Sequence, residues 1–148
     1  MVEKGKIFNM VDAVLANYIV IITLLSALMS FFVFIINWED RFMGIKLDGL
    51  PAGIYLFCKG FVALLLALLA LKYREKIELI TACVILYFAY LFGPVLFMPH
   101  SIPTFSGTLT YLLDFWLGIG IPIVLLVIHR LSRRDPWAVP ESPDGVRE

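Results

Sequence analysis

Two charges stand alone inside long apolar stretches, and their spacing suggests that they meet. Lys59 interrupts the apolar run 52–71, and Asp114 interrupts the run 108–129. Lys59 lies about seven residues from the near end of its run and Asp114 about six. At 1.5 Å per residue both would be roughly 9–10 Å deep, at similar height. A lone charge in hydrocarbon costs several kcal/mol, so such groups normally face protein and pair. The expectation is a Lys59–Asp114 ion pair or a water-bridged contact. That pair could be purely structural, with Lys59 able to reach the headgroups along its own stem. It could also be a substrate, ion or proton site that opens outward. Glu39, Asp40 and His100 would lie at the same outer rim and form a polar vestibule. A third use of the pair is acid–base chemistry on a lipid-like substrate, with Lys59 tuning Asp114.

The remaining reactive residue types suggest less. His100 and His129 would lie at opposite membrane faces, about 30 Å apart, so they cannot ligate one iron. His100 with Glu39 and Asp40 has no recognisable metal-ligand spacing. His129 followed by Arg130 reads as basic residues completing a helix C-terminus. No nucleophile motif, phosphate loop or HExxH occurs. The sequence therefore implies no metal and no cofactor, and it leans away from an enzyme. Cys58 and Cys83 fall toward opposite faces. A disulfide needs Cα atoms within about 7 Å, so they read as small packing residues.

The elements that would hold these residues follow from composition. The chain has 148 residues, of which 61% are hydrophobic, and a mean hydropathy of +0.91. Soluble domains are about 45–50% apolar by a similar count. A chain this short has too much surface to hide the excess in a core. Lipid is its natural solvent, and the bilayer is its first partner. Formal net charge is zero, and nothing points to nucleic acid.

About 20 residues of helix cross a bilayer. Four segments qualify: about 13–37, 52–71, 79–97 and 108–129. The expected fold is an all-α integral membrane protein, a four-transmembrane-helix bundle filling residues 1–134. Residues 135–148, with Pro136, Pro140 and Pro143, read as a disordered cytoplasmic tail. The first apolar run is about 25 residues long, against about 7–15 for a signal-peptide core, so it reads as a retained helix.

Orientation follows the basic residues near the span ends. Lys4, Lys6, Lys72, Arg74, Lys76, Arg130, Arg133 and Arg134 fall on one side. On the other side the first loop has only Arg41 and Lys46, offset by Glu39, Asp40 and Asp48, and the loop 98–107 has no Lys or Arg. Both termini are then cytoplasmic, and the chain is a multi-pass protein of the cell membrane.

Helices in lipid pack through small and polar residues. On the first span Asp12, Ala16, Thr23, Ala27, Ser30 and Asn37 share one arc. On the second, Ala52, Lys59, Ala63 and Ala70 do. On the third the inward stripe is Cys83, Tyr87, Tyr90 and Pro94. On the fourth it is Gly107, Thr110, Asp114 and Gly118. These stripes are packing surfaces, or they line a polar cavity. Pro94 and Pro122 fall within spans and would kink them. Three function classes fit the pattern: an outward-facing transport, channel or ligand-binding protein, an accessory subunit of a larger membrane complex, and an intramembrane enzyme. Four short spans bury little protein, which also suits a homo-oligomer.

Overall fold

The computed structural model describes residues 2–42, 45–97 and 112–133. The expected tail 135–148, His100, Gly107 and Thr110 lie outside the described residues. The described chain is mostly helical. Helix α1 is Val2–Ile36, α2 is Leu50–Lys72 and α3 is Ile77–Phe97. A short 3-10 turn, Arg74–Lys76, links α2 to α3. The last helix, α4, covers residues 112–133 and contains a π turn at Trp116–Gly120. Among the described residues, three helices are long and apolar enough to cross a membrane: Met10–Ile36, Leu50–Lys72 and Leu112–Ser132.

Between α1 and α2 the chain forms two short antiparallel strands, β1 (Glu39–Phe42) and β2 (Ile45–Asp48). The sequence pattern predicts only a loop here. Its register sets Glu39 opposite Asp48 and Arg41 opposite Lys46. Like charges facing across strands are unfavourable. At the Glu39–Asp48 pair Lys46 offsets this, lying 3.1 Å from Asp48 and 3.5 Å from Glu39. The hydrogen bond and charge of Asp48, with the charge of Glu39, hold the Lys46 ammonium above its usual pKa. Gly49 adopts φ 67° where β2 turns into α2, a left-handed conformation that favours glycine. Its N–H donates to Trp38 O at 2.9 Å and closes the base of the hairpin. Pro51 then sits in the first turn of α2, where no backbone donor is required.

The packing follows the small-residue rule on two helices. Ala16, Thr23, Ala27 and Ser30 of α1 are buried, as are Ala52, Ala63, Ala67 and Ala70 of α2. Gly60 lets Phe31 approach so closely that an added Cβ would lie 3.0 Å from its ring. Thr23 donates to Ile19 O at 2.6 Å, Ser30 to Ser26 O at 2.9 Å and Thr81 to Ile77 O at 2.7 Å. These hydroxyls satisfy themselves on their own helices, as membrane interiors require. From Ala16 to Ser30 the α1 stripe is thus a packing surface, whereas Asn37 lies exposed beyond the helix.

On α3 the expected face packs inward only at Tyr87, whose hydroxyl meets Ser26 of α1 and the Lys59 carbonyl of α2. Cys83 and Tyr90 are exposed, while Ile77, Ile80, Thr81, Val84 and Phe88 are buried. Those apolar side chains join Leu15, Ile19, Ala70 and Ile119 in the main core. Apolar shape therefore outweighs polarity in choosing the buried face of this helix.

The π turn in α4 has a local cause. Ile121 N–H donates to Trp116 O, and Pro122 has no N–H to give. The carbonyl of Leu117 loses its helical partner in consequence. The Tyr18 hydroxyl of α1 donates to it at 2.6 Å. The wide turn also brings Gly118 against Phe88 of α3, with room for no side chain.

Candidate functional site

Polar side chains gather at both ends of the helices. At the hairpin end Lys59 does not reach Asp114. Its Nζ lies 3.3 Å from Asp40 Oδ2 on β1, and both side chains are about three-quarters buried, with exposures of 24% and 23%. The reason is the hairpin, which folds Asp40 back over the first turns of α2. Asp114 is exposed and stands near the start of the described part of α4. No ion pair joins it to Lys59 among the described residues. The expected pair is therefore replaced by Lys59–Asp40.

Lys59 also lies 5.9 Å from the centre of the Tyr55 ring, within cation–π range. Its backbone carbonyl accepts from the Tyr87 hydroxyl at 3.3 Å. The same hydroxyl is 3.2 Å from Ser26 Oγ of α1. Around this point α2 and α3 part to leave a cleft of about 240 Å³, lined by Tyr55, Cys58, Lys59, Val62, Tyr87, Tyr90 and Leu91. Phe42, at the end of β1, packs edge-on to Tyr55 at 5.4 Å and tilted to Tyr90 at 6.2 Å. The hairpin thus contributes a ring that packs on two of the lining tyrosines and the counter-ion of Lys59. The cleft is apolar and aromatic with one ammonium in its wall, a combination suited to an amphiphile with a polar head. Of the expected vestibule, Asp40 joins this site. Glu39 stays with Lys46 on the exposed hairpin.

At the other end the structure assembles a cluster that the sequence reading missed. His129 is fully buried, not a solvated helix-end charge. Its Nε2 lies 3.1 Å from Asp12 Oδ1 on α1. Its Nδ1 lies 3.3 Å from Glu78 Oε1 in the first turn of α3. Arg130 Nε reaches Glu78 Oε2 at 3.3 Å. Arg74 donates to Asn17 Oδ1 at 3.5 Å beside it. Asp12 lies on the small-residue arc of α1, and this was the one sequence signal for the cluster. Glu78 and His129 are each ordinary helix-terminus residues until the fold brings them together.

Neither cysteine is in a disulfide, and both are exposed. Among the described residues no group of three or more His, Cys, Asp or Glu could hold a metal ion. Compared with known protein families, curated proteins and solved structures, the chain matches none.

Proposed function

We propose that this chain is a four-span membrane protein with both termini in the cytoplasm, and that it binds an amphiphilic, lipid-like ligand in an outward-facing site around Lys59. The single observation that carries the reading is the cleft between α2 and α3, with Lys59 held at its wall by Asp40 and Tyr55. The apolar body of the ligand would lie against Tyr87, Tyr90 and Leu91. Its acidic or hydrogen-bonding head would take the remaining donors of the Lys59 ammonium, which has three. The basic residues around Lys4, Lys72 and Arg130 support the orientation through the positive-inside bias. Two observations support α3 as the fourth span: its 21 residues reach the length a bilayer needs, and it packs into the same core as α1 and α4. The plasma membrane is the setting we propose.

The test is water access at position 59. Lys59→Cys is made in a background lacking Cys58 and Cys83, and a membrane-impermeant thiol reagent is added outside intact cells. Fast labelling that a lipid-like competitor suppresses is the expected result. No labelling of position 59, with a labelled Ser101→Cys control, overturns the outward site.

A second reading has its own support. Ala82, Leu86 and Ala89 recur at helical spacing on α3, and all are exposed. Ala82 and Ala89 are small, and small residues on an open face are what helix association in lipid uses. In this reading the chain is an accessory subunit, or self-associates, through α3. Cross-linking between cysteines placed at position 86, compared with position 65 on α2, tests it.

A further inference from the structure

We propose that the cleft at Lys59 takes a lipid whose head is a terminal phosphate, bound by the Lys59 ammonium together with the hydroxyls of Tyr55 and Tyr90. The assignment rests on the ligand-binding reading of this cleft and names the headgroup. It follows from which donors around the cleft are already spent. An ammonium has three N–H groups. Among the described residues the Lys59 ammonium meets one oxygen acceptor, Asp40 Oδ2 at 3.3 Å. Its other contact is the Tyr55 ring. Asp40 fixes the ammonium and leaves two of its N–H groups for a ligand.

The three tyrosines of the lining are not equivalent. The Tyr87 hydroxyl donates to the Lys59 carbonyl at 3.3 Å. With its one proton used, the 3.2 Å contact with Ser26 Oγ has the serine as donor. Tyr87 has no donor left to offer. Tyr55 and Tyr90 also line the cleft, and neither hydroxyl has a hydrogen-bond partner among the described residues. The Tyr90 side chain lies within electrostatic reach of the Tyr55 hydroxyl. Phe42 of β1 packs on both rings and gathers them at the hairpin end. Tyr55 stands four residues before Lys59, about 6 Å nearer the hairpin along α2. That is the side on which headgroups would lie.

The unspent atoms are Lys59 Nζ and two phenol oxygens, and all three can donate. A terminal phosphate presents three strong acceptor oxygens on one centre, one for each donor atom. Hydrogen bonds to such an anion are about twice as strong as neutral ones. A zwitterionic head would instead bring its own cation beside Lys59, where like charges repel most at low dielectric. The rest of the lining, Cys58, Val62 and Leu91, carries no charge and is left for the hydrocarbon chain.

The experiment compares heads on constant chains. Dioleoyl phosphatidic acid and dioleoyl phosphatidylcholine are titrated separately into the full chain in a neutral detergent, with bound lipid read by native mass spectrometry. Inorganic phosphate is the probe without chains. The phosphatidic acid should bind about tenfold more tightly than the phosphatidylcholine, and Tyr55→Phe should remove most of that preference, since a hydrogen bond to a charged group is worth about a factor of ten. Lys59→Met should abolish the preference, while binding of the phosphatidylcholine stays unchanged in both variants. Equal binding of the two lipids overturns the headgroup assignment and leaves the cleft as a lipid site. A preference that survives both variants also overturns it, and places the phosphate at the basic end of the helices. Inorganic phosphate that competes as well as the lipid overturns the lipid as its source. Binding of neither lipid overturns the ligand-binding reading and this assignment with it. The comparison of heads uses the unaltered chain, so it decides even if Lys59→Met does not fold.

Discussion

The two ends of the helices hold the same kinds of charge in different ways. At the hairpin end one ammonium meets one carboxylate, 19 residues away in sequence, with about a quarter of each side chain in contact with solvent. At the other end a fully buried imidazole sits between two carboxylates from different helices. The first pair depends on a two-stranded hairpin folding over α2. The second cannot form until α1, α3 and α4 have all packed. Burial sets the strength of an ion pair more than the identity of the charges does. The hairpin end is therefore suited to exchanging partners, and the His129 end to holding the fold together.

Breaking the buried end should have the largest effect. His129→Leu removes the buried ring whose Nε2 contacts Asp12 and whose Nδ1 lies beside Glu78. Leaving a buried polar group without its partner costs about 1–3 kcal/mol. Denaturant or thermal unfolding in a mild detergent should show a loss of that order, or no folded protein at all. An unchanged transition would make the two ends equivalent and end the comparison. Next in size is Gly118→Ala, because the new methyl would meet Phe88 Cδ1 at 2.5 Å. Overpacking of this kind costs about 1–3 kcal/mol. Phe88→Leu in the same chain should recover part of the loss. Tyr18→Phe removes the donor that satisfies Leu117 O beside Pro122. Side-chain hydrogen bonds in membranes average about 0.6 kcal/mol, with a maximum of about 1.7. A value near the upper figure is expected here, since the orphaned carbonyl has no helical donor to return to.

The same contrast explains what could be read from the sequence. The packing faces of α1 and α2 were legible, because Ala16, Ala27, Ala52, Ala63 and Ala70 recur at helical spacing and small residues pack best in lipid. The face of α3 was not. Its polar stripe of Cys83, Tyr87 and Tyr90 looked inward, yet Tyr87 and Tyr90 line the cleft and Cys83 is exposed. Polarity marks a protein-facing side only where a helix is packed on that side. The depth of Lys59 calls for a partner, but the structure supplies Asp40 where the spacing points to Asp114. Strands of four residues give too short an alternation to separate from a loop, so the fold-back that delivers Asp40 left no trace in periodicity. The His129 cluster is a long-range coincidence of Asp12, well inside α1, with Glu78 and His129, which lie near helix termini. Each of them taken alone already has an ordinary local explanation, which is why the group was invisible.

The smallest effect is also the one that separates the two assignments of the Lys59 partner. Lys59→Met, Asp40→Asn and their double variant form one thermodynamic cycle, and Lys59→Met with Asp114→Asn forms another. Partly solvated ion pairs are worth about 0.2–1 kcal/mol. The Lys59–Asp40 cycle should therefore show coupling within that range, because each single change leaves the other charge half satisfied. The Lys59–Asp114 cycle should be additive within about 0.3–0.5 kcal/mol, as for side chains that share no partner. Reversed outcomes would mean that Lys59 reaches across to α4 in the bilayer and that the hairpin does not hold it. The cleft would then lose the counter-ion that fixes its ammonium, and with it the geometry on which ligand binding at Lys59 depends.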